Sequence, residues 1–330
     1  MKNYFDFTLT GRKLFPIWFL LIVLFIVPYI VLLATITNLQ HGNMNSIFDA
    51  ANTANAQPAA TLPLYFFPCL IGLLLVCYAI IFFLKKLLIE GVVYKDKSLV
   101  FDGTFGQYLG ILLLGSFLTI ITLGIYIPWF TRSLARFYID HSALDSQKFK
   151  FMGKGNKLFM IFLFTLIIPL ILFSVAALFV TKFVETVDSP PIFLFMVVGY
   201  VVELIILAPY IYLYYKWMVQ VNYKEYSIRW ETSFCPSCMR ILFEILFSVI
   251  TFGLYFPLAM IRLYRYFAGK TIAASGESER RFGFDCDPFK DYVFILAQIV
   301  LTVITLSIYY PWACCKIAKR LLSKTYLETN

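Results

Sequence analysis

TIITLGIYIPW at residues 119–129, SVITFGLYFPL at residues 248–258 and TVITLSIYYPW at residues 302–312 align with one another without a gap. In each string an apolar run ends at a threonine (Thr122, Thr251, Thr305), passes a small residue (Gly124, Gly253, Ser307) and a tyrosine (Tyr126, Tyr255, Tyr309), and reaches a proline (Pro128, Pro257, Pro311). A small residue tolerates the backbone that ends a helix, and proline, which has no N–H to give a preceding turn, suits the first turn of a new one. The string therefore predicts helix, break, helix. The agreement extends outwards. Phe101, Trp230 and Phe284 lie 21 positions before the threonines, and Arg136, Arg265 and Lys319 lie eight positions beyond the prolines. The second helix of each element mixes cations with aromatic residues and leucine, as an amphipathic helix lying in a membrane interface does.

The surrounding composition sets the solvent. Of 330 residues, 61% are hydrophobic and 14% charged, whereas a soluble domain carries about a quarter charged residues. A water-soluble fold is excluded. Apolar runs fall near residues 14–36, 63–84, 108–128, 158–181, 191–215, 241–260 and 292–313, several of them as long as the ~20 residues a helix needs to cross hydrocarbon. The run at 14–36 is too long for a signal sequence and has no small-residue cleavage site directly after it, so it is expected to stay as a helix. The net charge of +9 is spread over the ends of these runs rather than gathered in one stripe. That distribution is an orientation signal and argues against a nucleic-acid partner.

Simple alternation of seven crossings puts many cations outside. If the runs at 108–128, 241–260 and 292–313 enter and return, every Lys and Arg except Lys182 lies on the cytoplasmic side. The expected fold is therefore an all-α polytopic membrane protein. It has four full transmembrane helices, three broken re-entrant elements, short cytoplasmic strands and both termini in the cytoplasm. Seven crossing helices are the alternative. Backbone broken at membrane depth needs protein or a water-filled cavity around it, so the three elements are expected to pack against their neighbours.

A second similarity lies upstream of the apolar runs. FDFTLTGRKLF at residues 5–15 matches FKFMGKGNKLF at residues 149–159, and LVFDGTFGQYL, IRWETSFCPSC and FGFDCDPFKDY are variants of it. Their period-two aromatics follow polar turns, as in strands and hairpins, so five such stretches are expected to pair into a small sheet. The chain then divides into residues 1–145, residues 146–275 and an appended element at residues 276–330, with the first two units in parallel orientation.

Ionisable groups inside apolar runs are the candidate functional residues. Glu203 and Glu244 each face a burial cost of at least ~2.5 kcal/mol in hydrocarbon, so a proton-carrying or cation-pairing role is weighed against a protonated, hydrogen-bonded one. Tyr126, Tyr255 and Tyr309 either place a hydroxyl in a polar pocket or anchor at the headgroup level. The basic ladder Arg136, Arg265 and Lys319 suits anionic lipid. Cys235 and Cys238 form CPSC, which in principle suits redox or metal chemistry. The aligned stretches lack it, and seven cysteines without an extracellular cluster argue against a disulfide scaffold. The two histidines, His41 and His141, show no metal spacing, and no Walker, HExxH or GxSxG string occurs. No catalytic residue, metal or cofactor is expected.

FDGTFGQYL, TIITLGIYIPW with its following basic helix, and FKFMGKGNKLF resemble the YjgN-like family of bacterial inner-membrane proteins, whose function is not established. Phe105, Leu258 and Ser307 depart from that pattern, where glycine, tryptophan and glycine are usual. The resemblance implies a bacterial inner-membrane setting and carries over no catalytic residues. The expected activity is transport-like or lipid-handling through a cytoplasm-facing cavity. The alternative is a non-catalytic scaffold. Expected partners are membrane lipids and either a second copy or another membrane protein.

Overall fold

In the computed structural model, which describes residues 2–24, 66–184, 192–276 and 278–328, strands and groups of helices alternate among the described residues. Strand β1 (Lys2–Phe7) leads into helix α1 (residues 11–24), and α2 (Phe66–Glu90) returns to β2 (Val92–Tyr94) and β3 (Lys97–Ser98). The order continues with β4 (Val100–Phe101), α3 (Phe105–Ile121), α4 (Ile127–Asp140), β5 (Ser142–Leu144) and β6 (Gln147–Phe151). Next come α5 (Gly155–Phe162), a π-helical turn (Leu163–Ile167), α6 (Ile168–Val184), α7 (Ile192–Met218), β7 (Val221–Tyr223) and β8 (Tyr226–Trp230). The chain ends with α8 (Phe234–Ile250), α9 (Phe256–Lys270), β9 (Thr271–Ser275), β10 (Ser278–Phe284), α10 (Pro288–Ile304), α11 (Tyr310–Leu322) and β11 (Thr325–Glu328).

The strands overturn the all-α expectation. They form one antiparallel sheet of 11 strands in the order β3-β2-β1-β11-β10-β9-β8-β7-β6-β5-β4. Its two ends, β3 and β4, are separated only by Leu99, whose N–H donates to the Val92 carbonyl at 2.9 Å. The sheet thus curls into a nearly closed ring, which leaves almost no unpaired edge. The N- and C-terminal strands pair with each other, Tyr4 opposite Tyr326. Turn chemistry supports the tight hairpins. Lys95 and Asp96, and Asp145 and Ser146, all take positive φ, the conformation that two-residue type I′ turns require. Each aromatic stretch does supply strand residues, but to this larger ring rather than to a small sheet.

Four full crossings are likewise not found among the described residues. Three helices among the described residues are long and apolar enough to cross a membrane, at Gly72–Glu90, Gly155–Val180 and Val201–Met218. The first apolar run is described only to residue 24. The three shorter elements reverse instead of crossing. Helices α3, α8 and α10 have 17 residues each, about 25 Å at 1.5 Å per residue, and then turn back, which also removes the seven-crossing alternative.

The core is distributed around the ring. Phe7, Phe101, Phe151, Trp230 and Phe284 end their strands buried, and each belongs to a separate cluster. Phe101, for example, packs with Phe82, Tyr108, Leu112 and Phe137 of α2, α3 and α4. Each cluster joins consecutive helices, and the last, with Phe7, Leu14 and Cys315, closes α11 onto α1 and α2. The Trp of the proline-tryptophan string seals two of these joints. Trp129 stacks on Phe159 at 5.0 Å and Trp312 lies 5.0 Å from Phe15, each against a glycine of the next helix, Gly155 or Gly11.

Exposed charged pairs stud the sheet. Asp285 accepts from the Tyr4 hydroxyl at 2.7 Å and pairs with Lys2 at 3.0 Å, and these two contacts hold its carboxyl below the usual range. Lys97 and Lys224 do the same for Asp145. Lys148 pairs with Asp102.

Candidate functional site

The three reversals are built alike. Leu123 and Gly124, Phe252 and Gly253, and Leu306 and Ser307 all have positive φ. The second of each pair donates its N–H back five residues, Gly124 to Thr119, Gly253 to Ser248 and Ser307 to Thr302, each at 2.8 Å, which caps the first helix. The threonine hydroxyl then bridges the two helices. Thr122 donates to the Leu118 carbonyl at 2.7 Å and accepts from the Tyr126 N–H at 3.0 Å. Thr251 and Thr305 repeat this with Tyr255 and Tyr309. Pro128, Pro257 and Pro311 occupy the first turn of the second helix and are fully buried.

Beneath the turns the hydroxyls of Tyr255 and Tyr309 are fully engaged. Tyr255 donates to Glu244 Oε2 at 2.8 Å and accepts from Arg262 Nη1 at 2.7 Å. Tyr309 donates to Gln298 Oε1 at 2.9 Å and accepts from Lys316 Nζ at 2.8 Å. The first hairpin fills the same space differently. Gly115 stands where the others have Glu244 and Gln298, and a Cβ there would meet the Phe130 ring at 2.1 Å. Phe130 in turn replaces Ala259 and Ala313. Tyr126 stacks on Trp129 at 6.1 Å.

One cleft gathers charge. Between α8, α9 and the start of α10, a cavity of about 280 Å³ is lined by Arg240, Arg262 and Arg265 with Glu244 as the single carboxylate. Arg262 Nη1 is 4.0 Å from Glu244 Oε1, and the Arg240 guanidinium sits 4.8 Å from the centre of the Tyr266 ring. Three guanidinium forks against one buried carboxylate suit a phosphate or carboxylate ligand, since the planar fork matches such oxygens in pairs. The structure therefore brings Glu244, Tyr255 and Arg265 together. Glu203 lies apart, exposed on α7. Arg136 is exposed and pairs with Asp140 at 3.0 Å, and Lys319 is exposed on α11. Cys235 is an exposed free thiol and Cys238 a partly buried one. Among the described residues no group of His, Cys, Asp and Glu could hold a metal ion.

Arg240 and Arg262 escaped the sequence reading because neither belongs to the aligned ladder. The fully buried Asp291 escaped it too. It pairs with Arg320 at 2.8 Å and Lys324 at 2.6 Å and accepts from the Asp287 N–H at 3.0 Å. Its signal was a carboxylate at the position where the other helices bury Leu14, Tyr108, Leu158 and Ser237.

No family model matches the chain, and no solved structure matches it. A stretch of 164 residues is 30% identical to the inner membrane protein YjgN of Escherichia coli O157:H7, covering 47% of this chain and 39% of that protein. The YjgN of Escherichia coli K12 is 28% identical over 169 residues, with the same shares. That of Salmonella typhimurium LT2 is 37% identical over 79 residues, 24% of this chain and 20% of that protein. The matched stretch thus spans about two fifths of the length of the Escherichia coli relatives. Over about half its length the chain is similar to the YjgN inner membrane proteins, which supports the YjgN-like resemblance carried by its motifs.

Proposed function

We propose that this chain is a lipid-handling inner-membrane protein in which the second short hairpin, α8 and α9, holds the headgroup of an anionic lipid. The observation that carries this reading is the height of the arginine cleft above the hairpin tip. Leu123, Phe252 and Leu306 at the three tips are 93%, 99% and 85% exposed in the isolated chain, so these tips need an apolar medium. A tip at the bilayer midplane is about 15 Å below the edge of the hydrocarbon. At 1.5 Å per residue, Arg262 and Arg265 stand roughly 14 and 18 Å above Gly253, and Arg240 about 20 Å. All three guanidiniums then lie at the headgroup level of one leaflet.

In this arrangement the longer helices cross the bilayer, the three hairpins occupy one leaflet, and the ring, in which the two terminal strands pair, lies in the cytoplasm. Lipid handling is favoured over a proton-coupled carrier because the Tyr255 and Tyr309 hydroxyls are consumed by bonds within their own hairpins, while Glu203 lies apart from both.

The test is native mass spectrometry of the full chain released from nanodiscs holding equal amounts of phosphatidylcholine and phosphatidylglycerol. The protein is expected to retain phosphatidylglycerol preferentially, and R240Q/R265Q to lose that preference by at least about fivefold. Equal retention of the two lipids, or an unchanged preference in the variant, refutes the proposal.

A further inference from the structure

The inside of the β-ring is chemically separate from the helices, and we infer that it is a binding site for a small aromatic anion. Side chains two apart on a strand share a face. In β1, β6, β8 and β10 the residue two before the buried strand-end aromatic is Phe5, Phe149, Ile228 or Phe282, and all four line one cavity of about 600 Å³. Tyr94, Tyr223 and Tyr226 complete its aromatic wall. That volume falls within the ~300–1,000 Å³ of small-molecule sites.

Two features select the ligand class. The rings are presented as slabs. Phe5 lies on Tyr94 and Phe149 on Tyr223, both with centroids 4.7 Å apart and planes within 32° and 27°. Such faces take a further flat ring by offset stacking. The cavity is also cationic, with Lys95, Lys97, Lys224 and Arg280 against Asp145 alone. Asp145 pairs with Lys97 and Lys224. Lys95 and Arg280 instead lie over the rings of Tyr94 and Tyr226, at 5.7 and 4.5 Å from their centres. A ligand that slides a ring onto this wall meets those two cations at its edge. A neutral ring leaves them uncompensated, and a bare inorganic anion leaves the aromatic wall unused. The site is distinct from the arginine cleft, so it stands or falls independently of lipid binding there.

The test uses the full chain in nanodiscs of zwitterionic phosphatidylcholine, with 2-naphthalenesulfonate, neutral 2-naphthol and inorganic sulfate as probes in equilibrium dialysis against empty nanodiscs. The expected result is one saturable 2-naphthalenesulfonate per chain, bound at least tenfold more tightly than either other probe and more weakly as salt rises. R280Q and K95N, the latter in a turn position with φ of +50° that suits asparagine, should each weaken binding several-fold. K95N decides the matter if R280Q fails to fold. No saturable excess over empty nanodiscs, equally tight binding of 2-naphthol or sulfate, or sulfonate binding unchanged in the folded variants overturns the inference.

Discussion

Gly155→Ala tests how the ring of helices is joined. Gly155 opens α5 against the indole of Trp129, and an added Cβ would lie 2.6 Å from Trp129 Cδ1 and 3.1 Å from Nε1. Carbon atoms settle at about 3.5–4.0 Å, so the two helices must separate by roughly 1 Å or the indole must turn. Turning it breaks the hydrogen bond from Nε1 to Asn156 Oδ1 at 3.0 Å and the stack on Phe159. Overpacking costs about 1–3 kcal/mol and the lost bond about 1 kcal/mol, while alanine in a helix returns roughly 0.5–1 kcal/mol. The net expectation is a loss of about 1–3 kcal/mol. Gly110→Ala in α3 is the control, because a Cβ there meets nothing within 4 Å, and it should be neutral or slightly stabilising. Trp129→Leu, which copies Leu258 at the matching position, should lower the cost of Gly155→Ala when the two are combined. The assay is the thermal midpoint of the detergent-solubilised chain by fluorescence-detected size exclusion. A midpoint for Gly155→Ala equal to that of the parent and of Gly110→Ala would refute the argument that close approach at this joint holds the ring.

Ser307 is the one non-glycine at the second left-handed turn position, with φ of +69°, and Ser307→Gly should raise the midpoint by the equivalent of up to about 1 kcal/mol. Thr251→Val removes both bonds of the bridging hydroxyl and should lower it by about 1–2 kcal/mol, seen in the same assay. Glu244→Gln should leave the midpoint nearly unchanged because Gln298 makes the same bond to its tyrosine, whereas Glu244→Leu should lower it by leaving the Tyr255 hydroxyl without its acceptor. For the ring, Asp285 is held below the usual carboxylate range by Tyr4 and Lys2. A carboxyl depressed in the folded state stabilises it above its unfolded value and loses that contribution as the pH falls through the folded one. Protection factors against hydrogen exchange in β1 and β10 should therefore fall as the pH drops below about 4, by a small amount because the pair is exposed, and Asp285→Asn should abolish that pH dependence.

Much of the local design was legible. Thr122, Gly124 and Pro128 with their counterparts announce a helix stop and a helix start because those signals act through bonds within a few residues of one another. Period-two aromatics likewise announced strands at all five stretches. The size of the sheet was not legible, since β7 and β9 are short and pair with partners up to some 75 residues away, and nothing local states that Lys2–Phe7 meets Thr325–Glu328. The role of Glu244 was half legible. An acidic residue in an apolar run marks a cost to be offset, but which partner offsets it depends on α9 folding back to bring Tyr255 and Arg262 within reach.

By itself the sequence determined the solvent, the breaks in the helices and the strand-forming stretches, because composition and short-range backbone chemistry fix those whatever the rest of the chain does. Only the tertiary structure decided that the strands curl into one ring, that the core divides into separate clusters around it, and that Arg240, Arg262 and Arg265 share a cleft while Glu203 stands apart. Those outcomes depend on pairing and packing between segments far apart in the chain, where many registers share the same local pattern. The 2.6 Å clearances at Gly11 and Gly155 are part of what selects among them.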